Sequence, residues 1–239
     1  MYRQQSLITL DQFYEMKPLS KLEAILSFID YSLFEEIFPY DAHKRGPKGY
    51  SKKQLFTTLM AMPIEQLSDI KALVTRLKSD PVLRRSLGYD YTNDTPSAAT
   101  LNRFITLLSG TDILERTFRR MVCKARKLGL IDGTNVAIDA SKLTAYEHAV
   151  PKSRIPPDNP SFPNWGGKLD TNGNFIKWFG WKMHALVDTY SGIPISYIIT
   201  PANIADMDVA EDLIQKMMVD YENGLTPKYY MMDAGYDKP

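Results

Sequence analysis

Apolar residues recur at helical spacing through the first half of the chain and at every second position in much of the second half. A Ser20-Lys-Leu-Glu23 box opens the first clear helix, because the serine oxygen and the glutamate side chain satisfy orphan amides at a helix start. Leu22, Ile25, Leu26 and Ile29 follow on one face. A short helix over Ser32–Ile37 ends before Pro39. Further helices are predicted over Gln54–Met60, over Leu67–Leu77 and over Pro81–Leu87, the last closed by Gly88. Asp94-Thr-Pro-Ser starts another, with Ala98, Leu101, Phe104, Ile105 and Leu108 inward and Thr100 and Arg103 outward. The last one, Asp112–Leu128, is expected to bury Leu114, Phe118, Met121, Val122, Ala125 and Leu128.

At Ile131 the period changes. Asn135–Ser141 is β-rich, with Val136, Ile138 and Ala140 on one face and Asp139 on the other. Tyr146–Lys177 reads as a long irregular segment with five prolines between Val150 and Asn164. Two hairpin strands follow, Trp178–Asp188 and Ile193–Thr200, with Tyr190-Ser-Gly192 as the turn. A helix over Ile204–Tyr221 and a strand over Tyr229–Asp233 complete the order strand, strand, strand, helix, strand. The expected architecture is α+β: a helical domain over 1–130 and a mixed-sheet domain over 131–239.

Composition changes this picture little, but charge distribution does. The net charge of +1 divides into +6 up to Leu130, where 20 Lys and Arg meet 14 Asp and Glu, and −5 beyond it, where 9 meet 14. A basic front half suits a polyanion and an acidic back half suits a cation, although two solvated surfaces of differing composition give the same counts. Lys44, Arg45, Lys48, Lys52 and Lys53 crowd one turn-rich segment, and Arg116, Arg119, Arg120, Lys124, Arg126 and Lys127 fall on the last front-half helix. Short helices with basic faces fit a helix-turn-helix reader of DNA. They fit a plain helical bundle equally well. Cys123 stands alone, which excludes a disulfide framework or a thiolate metal cluster. No apolar run reaches the roughly 20 residues of a membrane helix, no signal-peptide pattern opens the chain, and a cytoplasmic location is expected.

Two strands each carry an aspartate, Asp139 and Asp233. Side by side in a sheet, two carboxylates provide the hard oxygen ligands that Mg²⁺ takes while leaving positions for water and phosphate oxygens. Singly, each Asp is more often a turn or strand-end residue. His184 shares a strand face with Lys182 and Asp188 and can approach such a site, although a structural histidine fits the pattern better. Asp188, at the turn entrance, also reads as a turn residue. Asp206 and Asp208 fit the positive start of the following helix. Trp165, Trp178 and Trp181 offer stacking surfaces for unpaired bases, but strand tryptophans are usually core. Met207, Met217, Met218, Met231 and Met232 read as packing.

The stretch GWKMHALVDTYSGIPISYIITPANIADMD resembles the Gly-x-Lys-x-His…Asp…Gly-x-Pro…Thr-x-Ala-Asn…Asp segment of the DDE transposases of bacterial insertion sequences. MMDAGYD is similar to that family's Asp-Ala-Gly-Tyr-Asp motif, VAIDAS to its first catalytic strand, and TPSAATLNRF to a piece of its N-terminal helical domain. The resemblance implies an RNase H-like catalytic core in which Asp139 and Asp233 are catalytic and hold Mg²⁺ or Mn²⁺, two ions in the complete enzyme. It implies binding of double-stranded DNA at terminal inverted repeats and target sites, with Lys44, Arg45, Lys48, Lys52, Lys53, Arg103, Arg119 and Arg120 as candidate contacts. It also implies a homo-oligomer on DNA, and metal-dependent cleavage followed by strand transfer. The family's third catalytic residue is a Glu on a helix beyond the second Asp, and no Glu follows Asp233. The chain is therefore expected to be truncated at its C-terminal end, with a catalytically inactive DNA-binding or regulatory fragment as the alternative function. A metal-dependent nuclease of the same fold is a third reading. Without a further strand beside it, Tyr229–Asp233 is expected to be an exposed, association-prone edge.

Overall fold

The computed structural model describes residues 9–39, 49–90, 94–156, 159–169, 172–222 and 224–233. The chain divides into two compact units, 1–121 and 122–239.

The first unit is helical. It contains α1 (Leu10–Met16), α2 (Lys21–Phe28), α3 (Ser32–Ile37), α4 (Lys52–Ile64), α5 (Ile70–Ser79), α6 (Pro81–Ser86) and α7 (Ala98–Ser109), and the division falls within α8 (Ile113–Lys127). Three of these helices start on capping boxes: Thr9 with Gln12, Ser20 with Glu23, and Ser51 with Gln54. In the second box the Ser20 amide donates to the Glu23 carboxylate at 2.7 Å. Burial pushes that carboxyl up, but its hydrogen bonds with Ser20 and Ser86 and the nearby Lys17 prevail and bring it down to about 2. Leu33, Leu73, Leu77, Leu101 and Ile113 are fully buried in the core, with Phe34, Phe56 and Phe104 around them.

Two helix faces differ from the pattern reading. Ile113 is buried where Leu114 was expected, and Leu114 and Leu128 are exposed; in α7, Ile105 is also exposed. A single-turn ambiguity explains α8, since adjacent apolar residues at the start of a helix offer two faces 100° apart.

The second unit is a mixed sheet with one helix packed on it. Its strands are β1 (Asn135–Thr144), β2 (Asn164–Leu169), β3 (Phe175–Asp188), β4 (Pro194–Pro201) and β5 (Tyr229–Met231), with α9 (Met207–Asp220) between the last two. The four expected strands occur in the expected order. The fifth, β2, lies inside the segment that read as irregular, because Pro and Gly punctuation hides a hairpin whose second strand, β3, already begins at Phe175 within that segment. β3 is central: β1 lies antiparallel along one edge, while β2 and β4 lie end to end along the other, meeting where Gly180 pairs with Asn164 and Trp181 with Pro201. β5 is parallel to β1 on the far side.

Val136, Ile138 and Leu186 on one sheet face are buried, as are Val209, Leu213 and Met217 of α9, the helix that packs on β3 and β4. Of the methionines read as packing, Met217 is buried, whereas Met218, Met231 and Met232 are exposed.

Candidate active site

Asp139 sits near the middle of β1, directly opposite Ala185 of β3, with its side chain exposed. Its Oδ1 accepts the Ala140 amide at 2.8 Å, which fixes the carboxylate close to its own backbone. On the other side of β1, the parallel pairing runs Asn135 to Tyr229, Val136 to Tyr230 and Ala137 to Met231. Asp139 is two residues beyond Ala137 within β1, and Asp233 is two beyond Met231, just past the end of β5, so the last observed pair stands equally far from both. Asp233 is exposed as well. Carboxylates are hard oxygen donors of the kind a divalent cation takes. Among the described residues, no group of three or more His, Cys, Asp or Glu side chains gathers into a metal cluster.

The accessory residues do not join them. Ala140, not Asp139, faces His184, and strand alternation therefore sends His184 and Lys182 to the opposite face, toward α9. This one-residue offset goes against the accessory reading of His184 and with the structural one. His184 is almost fully buried and its Nε2 meets Thr200 Oγ1 at 2.9 Å. Its Nδ1 has no hydrogen-bond partner and lies 3.9 Å from Asp206 Oδ1. Burial pushes the imidazole below its ordinary value, with Lys182 acting the same way and Asp206 opposing both. Lys182 donates to Asp206 Oδ1 at 2.8 Å and to the Ile204 carbonyl at 2.9 Å.

Asp206 falls at the helix start, as the sequence pattern places it, but its partner in this knot was not legible there. It stands at the start of α9 but makes no side-chain cap there; its carboxylate goes to Lys182 instead. No spacing rule links residues 24 apart across a hairpin and a loop.

Asp188 is a turn residue. It is fully buried, and its carboxylate accepts the Gly133 amide at 2.8 Å, the Ser191 amide at 2.9 Å and the Ser191 hydroxyl at 2.7 Å. Burial pushes its carboxyl up, but these bonds outweigh burial and hold it below the usual range. Gly192 completes the turn at a φ of 71°, where glycine has no steric cost.

In the helical unit, Lys44, Arg45 and Lys48 lie outside the described residues. Lys52 Nζ lies 5.9 Å from the Phe104 ring centroid and Lys53 Nζ 4.5 Å from that of Tyr31. Arg103 is exposed on α7, its Nε donating to the Ala99 carbonyl at 3.3 Å. Arg119 is half-buried on α8. Arg120 is engaged within the unit, 2.6 Å from Asp30 and 2.7 Å from Ser32, and Arg116 pairs with Glu36 at 2.7 Å. The basic face of α8 is thus partly occupied by the unit's own carboxylates.

No helix among the described residues is long and apolar enough to cross a membrane. A family model described as Transposase DDE domain matches residues 125–239, and one described as Transposase domain (DUF772) matches residues 9–107. No curated protein and no solved structure matches the chain.

Proposed function

The chain belongs to the DDE transposases of insertion sequences, and from that premise we propose that it binds the ends of its element through the helical region 1–130 and carries two catalytic carboxylates, Asp139 and Asp233, in 131–239. The observation that carries this reading is the parallel β1–β5 register, in which each Asp stands two residues past the Ala137–Met231 pair.

Both aspartates fit a divalent cation, Mg²⁺ or Mn²⁺, by the chemistry of the donor set: exposed, hard, anionic oxygens. Bound there, such an ion supplies charge stabilisation to the phosphoryl group under attack. The chain's own contribution is to hold Asp139 on β1 and Asp233 just past the end of β5, so that they are set before DNA arrives. Asp139 is braced by the Ala140 amide, and β1 itself is held between β3 and β5. In the complete reaction, a third acidic residue joins them, water opens the phosphodiester at the element end, and the freed 3′-hydroxyl attacks target DNA.

Element-end contact falls to Lys52, Lys53, Arg103, Arg119 and Arg120 with Lys44, Arg45 and Lys48. Such side chains neutralise backbone phosphates and make binding salt-dependent. The proposed setting is cytoplasmic, with double-stranded DNA as partner and the chain acting as a homo-oligomer on it.

The test is Mn²⁺ binding followed by electron paramagnetic resonance, beside a mobility shift on element-end DNA. Asp139→Asn and Asp233→Asn are expected to weaken Mn²⁺ binding while leaving DNA binding intact or improved, since each removes a charge that repels phosphate. Unchanged Mn²⁺ binding in both variants, or a large loss of DNA affinity in a folded Asp139→Asn chain, would overturn the assignment.

A further inference from the structure

At the opposite end of β3 from Asp139, the β2–β3 hairpin and the 3₁₀ turn Lys152–Arg154 border a cavity of about 420 Å³. Pro151, Lys152, Trp165, Gly167, Phe175 and Lys177 line it. Gly167 pairs with Lys177 and Trp165 with Phe179, so Trp165, Gly167 and Lys177 share one face of the hairpin. The floor exists because residue 167 has no side chain: a Cβ there would run into the Phe175 ring. The indole of Trp165 is fixed, its Nε1 donating to the Val150 carbonyl at 2.8 Å and its ring 5.6 Å from that of Phe179. Phe175 is open, 60 % exposed, with Lys177 Nζ 5.7 Å from its ring centroid. Lys152 and Lys177 are both exposed.

Covering a strand glycine explains one side of the Phe175 ring. It does not explain why the other side is left in water, beside a locked indole and two cations in a half of the chain whose net charge is −5. Aromatic faces interleaved with lysines are what an unpaired nucleotide needs, since every base has a π-face to stack and each flanking phosphate needs a cation. A paired duplex hides those faces. We infer that this cavity takes one unpaired base of DNA, stacked against the open Phe175 ring beside the fixed indole of Trp165, with Lys152 and Lys177 on the adjoining phosphates.

The inference rests on the DNA reading above and adds a second contact to it. Strand alternation puts Lys177 on the same sheet face as Ala185, the residue opposite Asp139. Eight residues of strand separate them, about 26 Å at about 3.3 Å each. One DNA strand at about 3.4 Å per nucleotide covers that span in about eight nucleotides. A base drawn out at this distance would fix the register of the strand that passes Asp139.

The test uses the whole chain and two oligonucleotides of equal length and charge, one of thymidines and one with abasic sites in their place. The base-bearing strand is expected to bind roughly tenfold tighter, and Phe175→Ala is expected to remove that preference while retaining its circular dichroism. Should Phe175→Ala unfold, Phe175→Leu keeps the apolar cover without a π-face and reads the same preference. Equal affinity of the unaltered chain for the two strands, or a preference that survives in the folded variant, would overturn the inference. Binding of a fully paired element-end duplex with no base preference removes this inference and leaves the proposed function standing. Binding to no DNA of any kind removes both.

Discussion

Asp139 lies opposite Ala185 and His184 lies opposite Ala140, so the two residues are one register step apart and face opposite sides of the same sheet. The sheet thereby separates two kinds of chemistry. One face carries the exposed Asp139 carboxylate, proposed above to meet a cation. Its covered face carries a buried imidazole, an ammonium and Asp206, drawn together beneath the start of α9.

That separation predicts a pH response in stability rather than in metal chemistry. His184 titrates below its ordinary value of 6.5 in the fold, chiefly through burial, with Lys182 adding to the shift and Asp206 opposing it. Thr200 meets its Nε2. The folded chain therefore binds fewer protons than the unfolded one as pH falls through 6.5, and stability declines until the folded value is reached. The melting temperature is expected to drop by several degrees between pH 7.5 and pH 5.5, and by less in His184→Gln. A second loss begins below 3.8, where Asp188 must give up its hydrogen-bonded charge. The same drop in His184→Gln as in the unaltered chain between pH 7.5 and 5.5 would remove His184 as its source.

Much of this arrangement was legible in the residues. The Ser20–Glu23 box, the switch of period at Ile131 and the Asp139-bearing first strand all have local causes, and each appears where the pattern places it, whereas the last strand ends at Met231, two residues short of Asp233. What escaped depends on partners that no local pattern names. β2 forms only against Phe175–Gly180 of β3, and its own sequence is broken by Gly166 and Gly167. The Lys182–Asp206 pair closes over 24 residues. The face of His184 hangs on a single step of register, and alternation along one strand does not reveal which residue of the neighbouring strand it meets.

Gly180 shows how tightly that register is set. It pairs with Thr144 and Asn164 on its two sides, its carbonyl accepts the Ala202 amide at 3.1 Å, and its φ is 155°. A Cβ added there would meet the Leu143 carbonyl oxygen and lie 2.6 Å from the Ala145 nitrogen, both backbone atoms that cannot turn aside. Gly180→Ala is expected to cost about 3 kcal/mol by strain and lost pairing. Gly173→Ala, at a φ of 80° with open space around it, should cost only about 1 kcal/mol. Urea unfolding of the two variants checks the contrast, and a Gly180→Ala chain as stable as Gly173→Ala would show that β1 and β3 have slack at this crossing.

The last strand carries a different liability. β5 pairs with β1 along one edge, and among the described residues no strand pairs with the other. Tyr229 is 66 % exposed and Met231 53 %, so unpaired backbone groups lie beside apolar side chains. Such an edge is a template for pairing with a second chain, because each new strand satisfies its N–H and C=O groups and covers its side chains together. The chain is expected to self-associate with rising concentration in light scattering. Met231→Lys should reduce this, since a charge at the edge must be desolvated before another strand can dock. A chain that stays monomeric at high concentration would mean that the β5 edge is protected, and an unchanged association in Met231→Lys would move its origin to another surface.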